Sequence, residues 1–210
     1  MSSMSKECED DYYDESSVFP FNDAFEEDSE TYPYGTLTAV ASHVTTLSGT
    51  TLRLIEVLAL SNRNFFVDLG CGIGRVTNLV AETAECPCLG IDNCEGEVLA
   101  AQTAHAASIE SREARNLTTG VAKYVTCDLM DMIVHLEGVP PSQIVIYIHL
   151  IPKQVARPEL RAMLEPLLVG GARVVTSVYH PPYWLPSISD KTYDLNFYDA
   201  GSLALPPPTT

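Results

Sequence analysis

At 210 residues the chain suits one domain plus a tail, long enough to bury a sizeable core. The formal net charge of −16 is uneven: residues 1–30 hold eleven acids against one lysine, and the other 180 residues carry 17 acids against 11 bases, −6. An acidic chain with no basic stripe repels phosphate backbones, which argues against general nucleic-acid binding. The longest nearly continuous apolar run, residues 144–151, is far short of the roughly 20 residues a membrane-spanning helix needs.

The acidic residues 1–30 have too little apolar periodicity to fold alone and read as a disordered tail. Their interleaved Tyr12, Tyr13, Phe19, Phe21 and Phe25 leave open an acidic-aromatic element for a basic partner. An acid-rich start is also wrong for mitochondrial import, so the cytoplasm or nucleus is expected. Thr31-Tyr-Pro-Tyr-Gly-Thr36 reads as a turn, and Val40, Val44, Leu47, Leu52, Ile55 and Leu58 predict one or two amphipathic helices broken near Ser48-Gly49. The expected domain then runs over 63–199, preceded by a helical lead-in and loop over 31–62 and followed by a disordered tail, 200–210.

Within it, short apolar runs near 65–69, 88–92, 121–127, 143–150 and 172–179 read as strands, with helices over 74–84, 95–110, about 130–137 and 155–168. That alternation predicts an α/β fold with a parallel, doubly wound sheet. The run 144–151 is apolar on both faces, as a central parallel strand should be. A hairpin near 184–198, one strand inserted antiparallel, completes seven strands. Six cysteines are present; Cys86-x-Cys88 has one intervening residue, which fits neither a zinc nor a thioredoxin motif, so reduced thiols and no metal are expected.

The chemistry concentrates in Phe65–Asp92. A strand ends on Asp68, and glycines follow at 70, 72 and 74. Val76, Leu79, Val80 and Thr83 then recur at helical spacing before a second strand ends on Asp92. Glycines here let a ligand approach the backbone, and the next helix turns its amides and positive dipole end toward it. Dinucleotide sites read G-x-G-x-x-G with a diphosphate on the helix end. Here the order is G-x-G-x-G with an acid two residues ahead, which suits an ammonium group and repels a diphosphate. Asp92 suits the two hydroxyls of a ribose, and Asp128, ending the third strand, suits an adenine amino group. Three strand-end acids thus describe a pocket for a cationic adenosine derivative without phosphate, which is S-adenosylmethionine.

Val67-Asp-Leu-Gly-Cys-Gly-Ile-Gly-Arg75 resembles motif I of class I, seven-stranded, Rossmann-like S-adenosylmethionine-dependent methyltransferases. It is similar in particular to the branch holding the Dot-type histone lysine methyltransferases and the lysine methyltransferases of mitochondrial ATP synthase c-subunit and adenine nucleotide translocase. YPYGT at 32–36, IYIHLIP at 146–152 and ARVVTSVYHPPYW at 172–184 resemble further segments of that branch, more loosely. The resemblance implies that Asp68, Gly70, Gly72 and Gly74 hold the methionine moiety and Asp92 the ribose. Asp128 and Leu129 would flank adenine and Tyr34 would cap the cofactor, with Cys71 and Asn93 beside them.

The acceptor would lie at the end of the fourth strand, where Tyr147 and His149 are the catalytic candidates near Pro152. His149 stands where that branch usually has an aromatic residue. Tyr179, His180, Tyr183 and Trp184 either wall an acceptor amine or pack beneath the hairpin. A protein lysine is the preferred acceptor. A small-molecule acceptor, or a silent scaffold for a basic partner, stays open. Neither nucleic acid nor membrane is expected as a partner.

Overall fold

The computed structural model describes residues 37–203, with side chains from 48 onward. The chain forms two compact units, residues 1–42 and 43–210, and of the first only the opening of helix α1 (Leu37–Leu58) is described. The expectations for 1–36 and 204–210, including the acidic tail, the YPYGT loop and Tyr34, lie outside the described residues.

In the second unit, strands β1 (Phe65–Leu69), β2 (Cys88–Asp92), β3 (Ala122–Thr126), β4 (Ile144–Ile148), β5 (Arg173–Ser177), β6 (Ile188–Asp190) and β7 (Leu195–Tyr198) form one sheet. Its order is β3-β2-β1-β4-β5-β7-β6. The first five strands are parallel, and β7 runs against both β5 and β6. The direction of winding reverses between β1 and β4, and in such sheets that switch point opens a crevice at the strands' carboxyl ends.

Helices α2 (Arg75–Ala84) and α3 (Glu95–Glu113) follow β1 and β2. With the end of α1 around Leu54 and Leu58, α2 packs on one face of the sheet, where these two leucines, Val76, Val80 and Ala81 meet Phe66, Val145, Tyr147, Val175 and Phe197. The other face, built on Val67, Leu69, Leu89, Ile146 and Val174, is covered by α4 (Pro152–Val155) and α5 (Pro158–Val169). Leu160, Leu164 and Leu168 repeat at one-turn spacing on α5 and are fully buried. Each contributes about 1.5–3 kcal/mol by leaving water. With both faces covered, β4 is apolar throughout, and all five of its residues are buried.

Four local expectations are corrected. Helix α1 runs unbroken through Ser48-Gly49, since a glycine in a helix weakens it without terminating it. The helix expected over 155–168 is two helices, because Arg157 precedes Pro158 and takes the extended backbone that a following proline imposes. The helix expected over 130–137 is a 3-10 turn, Leu129–His135, capped by Asp128. Ala200–Leu203, expected within the frayed tail, form another 3-10 turn with Ser202 buried. Among the described residues no helix is long and apolar enough to cross a membrane.

Candidate functional site

A cleft of about 840 Å³ opens at the carboxyl ends of β1, β4 and β5. The register explains which side chains it receives. Asp68 pairs with Tyr147, and Tyr147 with Val175, so period-2 alternation puts Asp68, Tyr147, His149 and Ser177 on one face. All four line the cleft.

Asp68 is the buried acid of the group, 2% exposed. Its carboxylate accepts the Thr77 hydroxyl at 2.7 Å, so the first turn of α2 fixes its direction. Burial pushes its carboxyl up to about 6, against the opposing hydrogen bonds from Thr77 and with a small addition from the charge of Asp92. Among the described residues no cation pairs with it. A carboxylate buried in this way would gain from a cationic ligand.

The glycine turn bends around this acid. Gly70, Gly72 and Gly74 hold φ of +78°, +49° and +76°. A Cβ at Gly70 would lie 2.7 Å from Leu150 Cδ2, whereas one at Gly72 would meet nothing nearer than Glu97 Oε2 at 3.6 Å. At Gly72 the backbone geometry, not crowding, demands glycine. Asp92 closes the turn from β2: its Oδ2 accepts Gly72 N–H and its Oδ1 accepts Cys94 N–H, both at 2.9 Å. The acid expected to hold a ribose is therefore already oriented, with further lone pairs free of these bonds. Beneath the turn, the Tyr124 ring fills the space that side chains at Gly74 and Gly90 would need, and its hydroxyl donates to Asn78 Oδ1 at 2.6 Å.

The candidates divide between two places. Asp68, Gly70, Cys71, Tyr147 and His149 line the cleft. Gly72, Gly74 and Asp92 belong to the same turn by their bonds. Asn93 follows Asp92 at the exposed end of β2. Asp128 is exposed after β3, and its Oδ1 accepts Met130 N–H at 2.9 Å, with Leu129 half-buried beside it.

At the end of β4, burial pushes the Tyr147 hydroxyl up to about 12, with a hydrogen bond to Ser177 opposing. It stays protonated near neutral pH and serves as a hydrogen-bonding group. His149 stands exposed at the lip, and partial desolvation lowers its imidazole below the ordinary value, leaving it neutral with a lone pair near pH 7.

None of the four residues offered as an aromatic wall lines the cleft. Trp184 is core, 3% exposed, bonded through Nε1 to Glu165, and Tyr183 donates its hydroxyl to the Val155 carbonyl at 3.0 Å. The aromatic ring at the mouth is instead Tyr193, flanked by Thr192 and Asp194 in the β6–β7 turn. Sequence reasoning missed this turn and Ser177, Arg75 and Glu97. Ser177 ends β5, and the strand-end rule could have found it; the turn is near only because β7 inserts beside β5.

The family model described as "Histone methylation protein DOT1" matches residues 43–134. No curated protein matches the chain. Among solved structures, an RNA methyltransferase from Salinibacter ruber in complex with S-adenosyl-L-homocysteine is similar at 20% identity, covering 71% of this chain and 88% of that one, with a TM-score of 0.55. The magnesium protoporphyrin IX methyltransferase from Synechocystis PCC 6803 with bound SAH covers 70% and 61% at 15% identity, with a TM-score of 0.43. The chain has the class I methyltransferase fold. The family match ends at 134, so it takes in the glycine turn, Asp92 and Asp128 and stops before β4.

Proposed function

We propose that the protein is an S-adenosylmethionine-dependent methyltransferase whose acceptor is a lysine amine of another protein. The observation that carries the first half is Asp68: a buried carboxylate without a cationic partner among the described residues, at the foot of a turn with three glycines at positive φ. That set of residues fits the cofactor. Asp68 would take its α-ammonium, the amides of the glycine turn would lie along its methionine moiety, and Asp92 would take the ribose hydroxyls. Asp128 and Leu129 would flank its adenine. When bound, the cofactor supplies an electrophilic methyl on a sulfonium.

The chain's own residues then have to orient the acceptor and remove a proton from it. His149 suits the second task, because it is neutral near pH 7 and lies on the sheet face that carries Asp68 and Tyr147. Tyr147 and Ser177 offer hydroxyls to orient the amine. The preference for lysine rests on the family match over the donor half, together with an acidic chain that would repel RNA.

The test is transfer of tritiated methyl from the cofactor to a cell lysate, followed by acid hydrolysis of the protein fraction. Label in methylated lysine is expected. Label confined to the small-molecule or RNA fraction would exclude a protein acceptor.

A further inference from the structure

The acceptor side of the cleft is built on an uncommon backbone. Val178, just after β5, holds φ +66°, and Tyr179 N–H donates across it to the Ser177 carbonyl at 2.8 Å. This is a γ-turn centred on a positive-φ residue, the rare and strained form, and a β-branched side chain is poorly suited to it. Val178 N–H donates in turn to the Asp194 carbonyl at 3.0 Å, and Asp194 stands at φ +51°. Five non-glycine residues among those described have positive φ, and these two are bonded to each other on the wall of the cleft.

The surroundings hold this arrangement from both ends. Asp190, closing β6, accepts Arg53 Nε from α1 at 2.8 Å and Thr192 N–H at 3.1 Å. Leu195, opening β7, pairs with Ser177. Backbone strain persists where neighbouring structure over-determines it, and it concentrates at binding sites.

The chemistry this clamp presents is specific. Thr192, Tyr193 and Asp194 line the same cleft as Tyr147 and His149. Asp194 is the one carboxylate among the lining residues on this side, and it forms no ion pair among the described residues. Tyr193 adds an aromatic ring next to it, 38% exposed. A carboxylate beside an aromatic ring suits an ammonium head on an alkyl stem, through charge attraction and cation–π contact.

We propose that the strained clamp of Val178 with Thr192–Asp194 selects the acceptor, Asp194 capturing the ammonium form of a lysine side chain at the rim of the cleft. The amine then passes His149, which takes its proton. This rests on the methyltransferase reading above and adds the residues that choose the substrate.

The experiment uses the full chain, poly-L-lysine as acceptor and saturating tritiated donor, with donor affinity measured separately by calorimetry. Asp194→Asn is expected to raise the KM for poly-L-lysine about tenfold, with Asp194→Glu within about threefold of the native value and donor affinity unchanged in both. Val178→Gly is expected to raise the melting temperature by relieving the strained turn, while also raising that KM. An Asp194→Asn KM within about twofold of native, with donor binding intact, would overturn the proposal. So would a Val178→Gly protein that melts lower. Native protein that binds donor and does not methylate poly-L-lysine would refute the acceptor class alone, whereas absence of donor binding would refute the reading beneath it.

Discussion

The amide of Gly72 donates to Asp92 Oδ2 at 2.9 Å, tying the middle of the glycine turn after β1 to the acid that ends β2. The other carboxylate oxygen takes Cys94 N–H ahead of α3. Asp92→Ala therefore removes the acceptor of two backbone amides as well as the carboxylate proposed to hold the ribose. Because Asp92 is half-buried and water can replace part of the loss, the expected change in stability is about 1–3 kcal/mol. Donor binding should fall beyond calorimetric detection. Chemical denaturation and titration of the same variant check both.

Asp68 carries an opposite signature. A carboxyl raised from 3.8 to about 6 destabilises the fold once ionised. Its favourable contribution is present below its unfolded value and is lost as pH rises through about 6. Asp68→Asn removes a penalty on the order of 3 kcal/mol at pH 7, so the unliganded variant should melt higher than the native protein. The same variant should lose donor affinity, because a neutral amide does not pair with an ammonium. In the native protein, donor affinity should be greatest near pH 7 and fall as Asp68 protonates below about 6. Calorimetry across pH 5–8 reads this directly.

His105 on α3 titrates the other way. Its Nε2 accepts Ala122 N–H at 3.1 Å, so the ring must be neutral, and burial lowers its pKa from 6.5. A depressed histidine contributes stability that is full above its unfolded value and is lost as pH falls below about 6.5. His149 adds in the same sense. Asp68 opposes both over part of this range, so the histidine effect is cleanest in Asp68→Asn. That variant should melt progressively lower from pH 7 to pH 5, and His105→Leu in the same background should flatten the decline.

Gly74 tests the packing under the turn. It stands at φ +76°, and a Cβ there would lie 2.8 Å from Tyr124 and 2.9 Å from Ala101 Cβ. Gly74→Ala combines a left-handed alanine, about 1–2 kcal/mol, with overpacking of about 1–3 kcal/mol. Adding Tyr124→Leu should recover part of the overpacking term and none of the backbone term. A double-mutant cycle by denaturant unfolding measures the difference.

The glycine turn and its flanking acids were legible because their determinants are local. Glycines at 70, 72 and 74 and strand-end acids at 68 and 92 sit within one β-α-β unit, so spacing alone brings them together. The sheet followed for the same reason: apolar runs of strand length alternate with helical patterns. The side of the cleft formed by the β6–β7 turn was not legible. Thr192–Asp194 reach the cleft only because β7 inserts beside β5, a non-local pairing that no short pattern encodes. Tyr183 and Trp184 carried the right chemistry for a wall, yet the chain turns them toward α4 and α5, where Val155 and Glu165 receive their polar atoms. Asp128 was read as a ligand acid; in the structure its Oδ1 caps the turn that follows, a use that sequence does not announce.

The central claim is that this cleft binds S-adenosylmethionine through Asp68 and Asp92. Calorimetric titration of the full chain at pH 7.5 measures it most directly. A saturable heat at one equivalent is predicted, absent in Asp68→Asn and Asp92→Ala proteins that remain folded by circular dichroism. No heat with S-adenosylmethionine, or a saturable heat with a nicotinamide dinucleotide in its place, would contradict it.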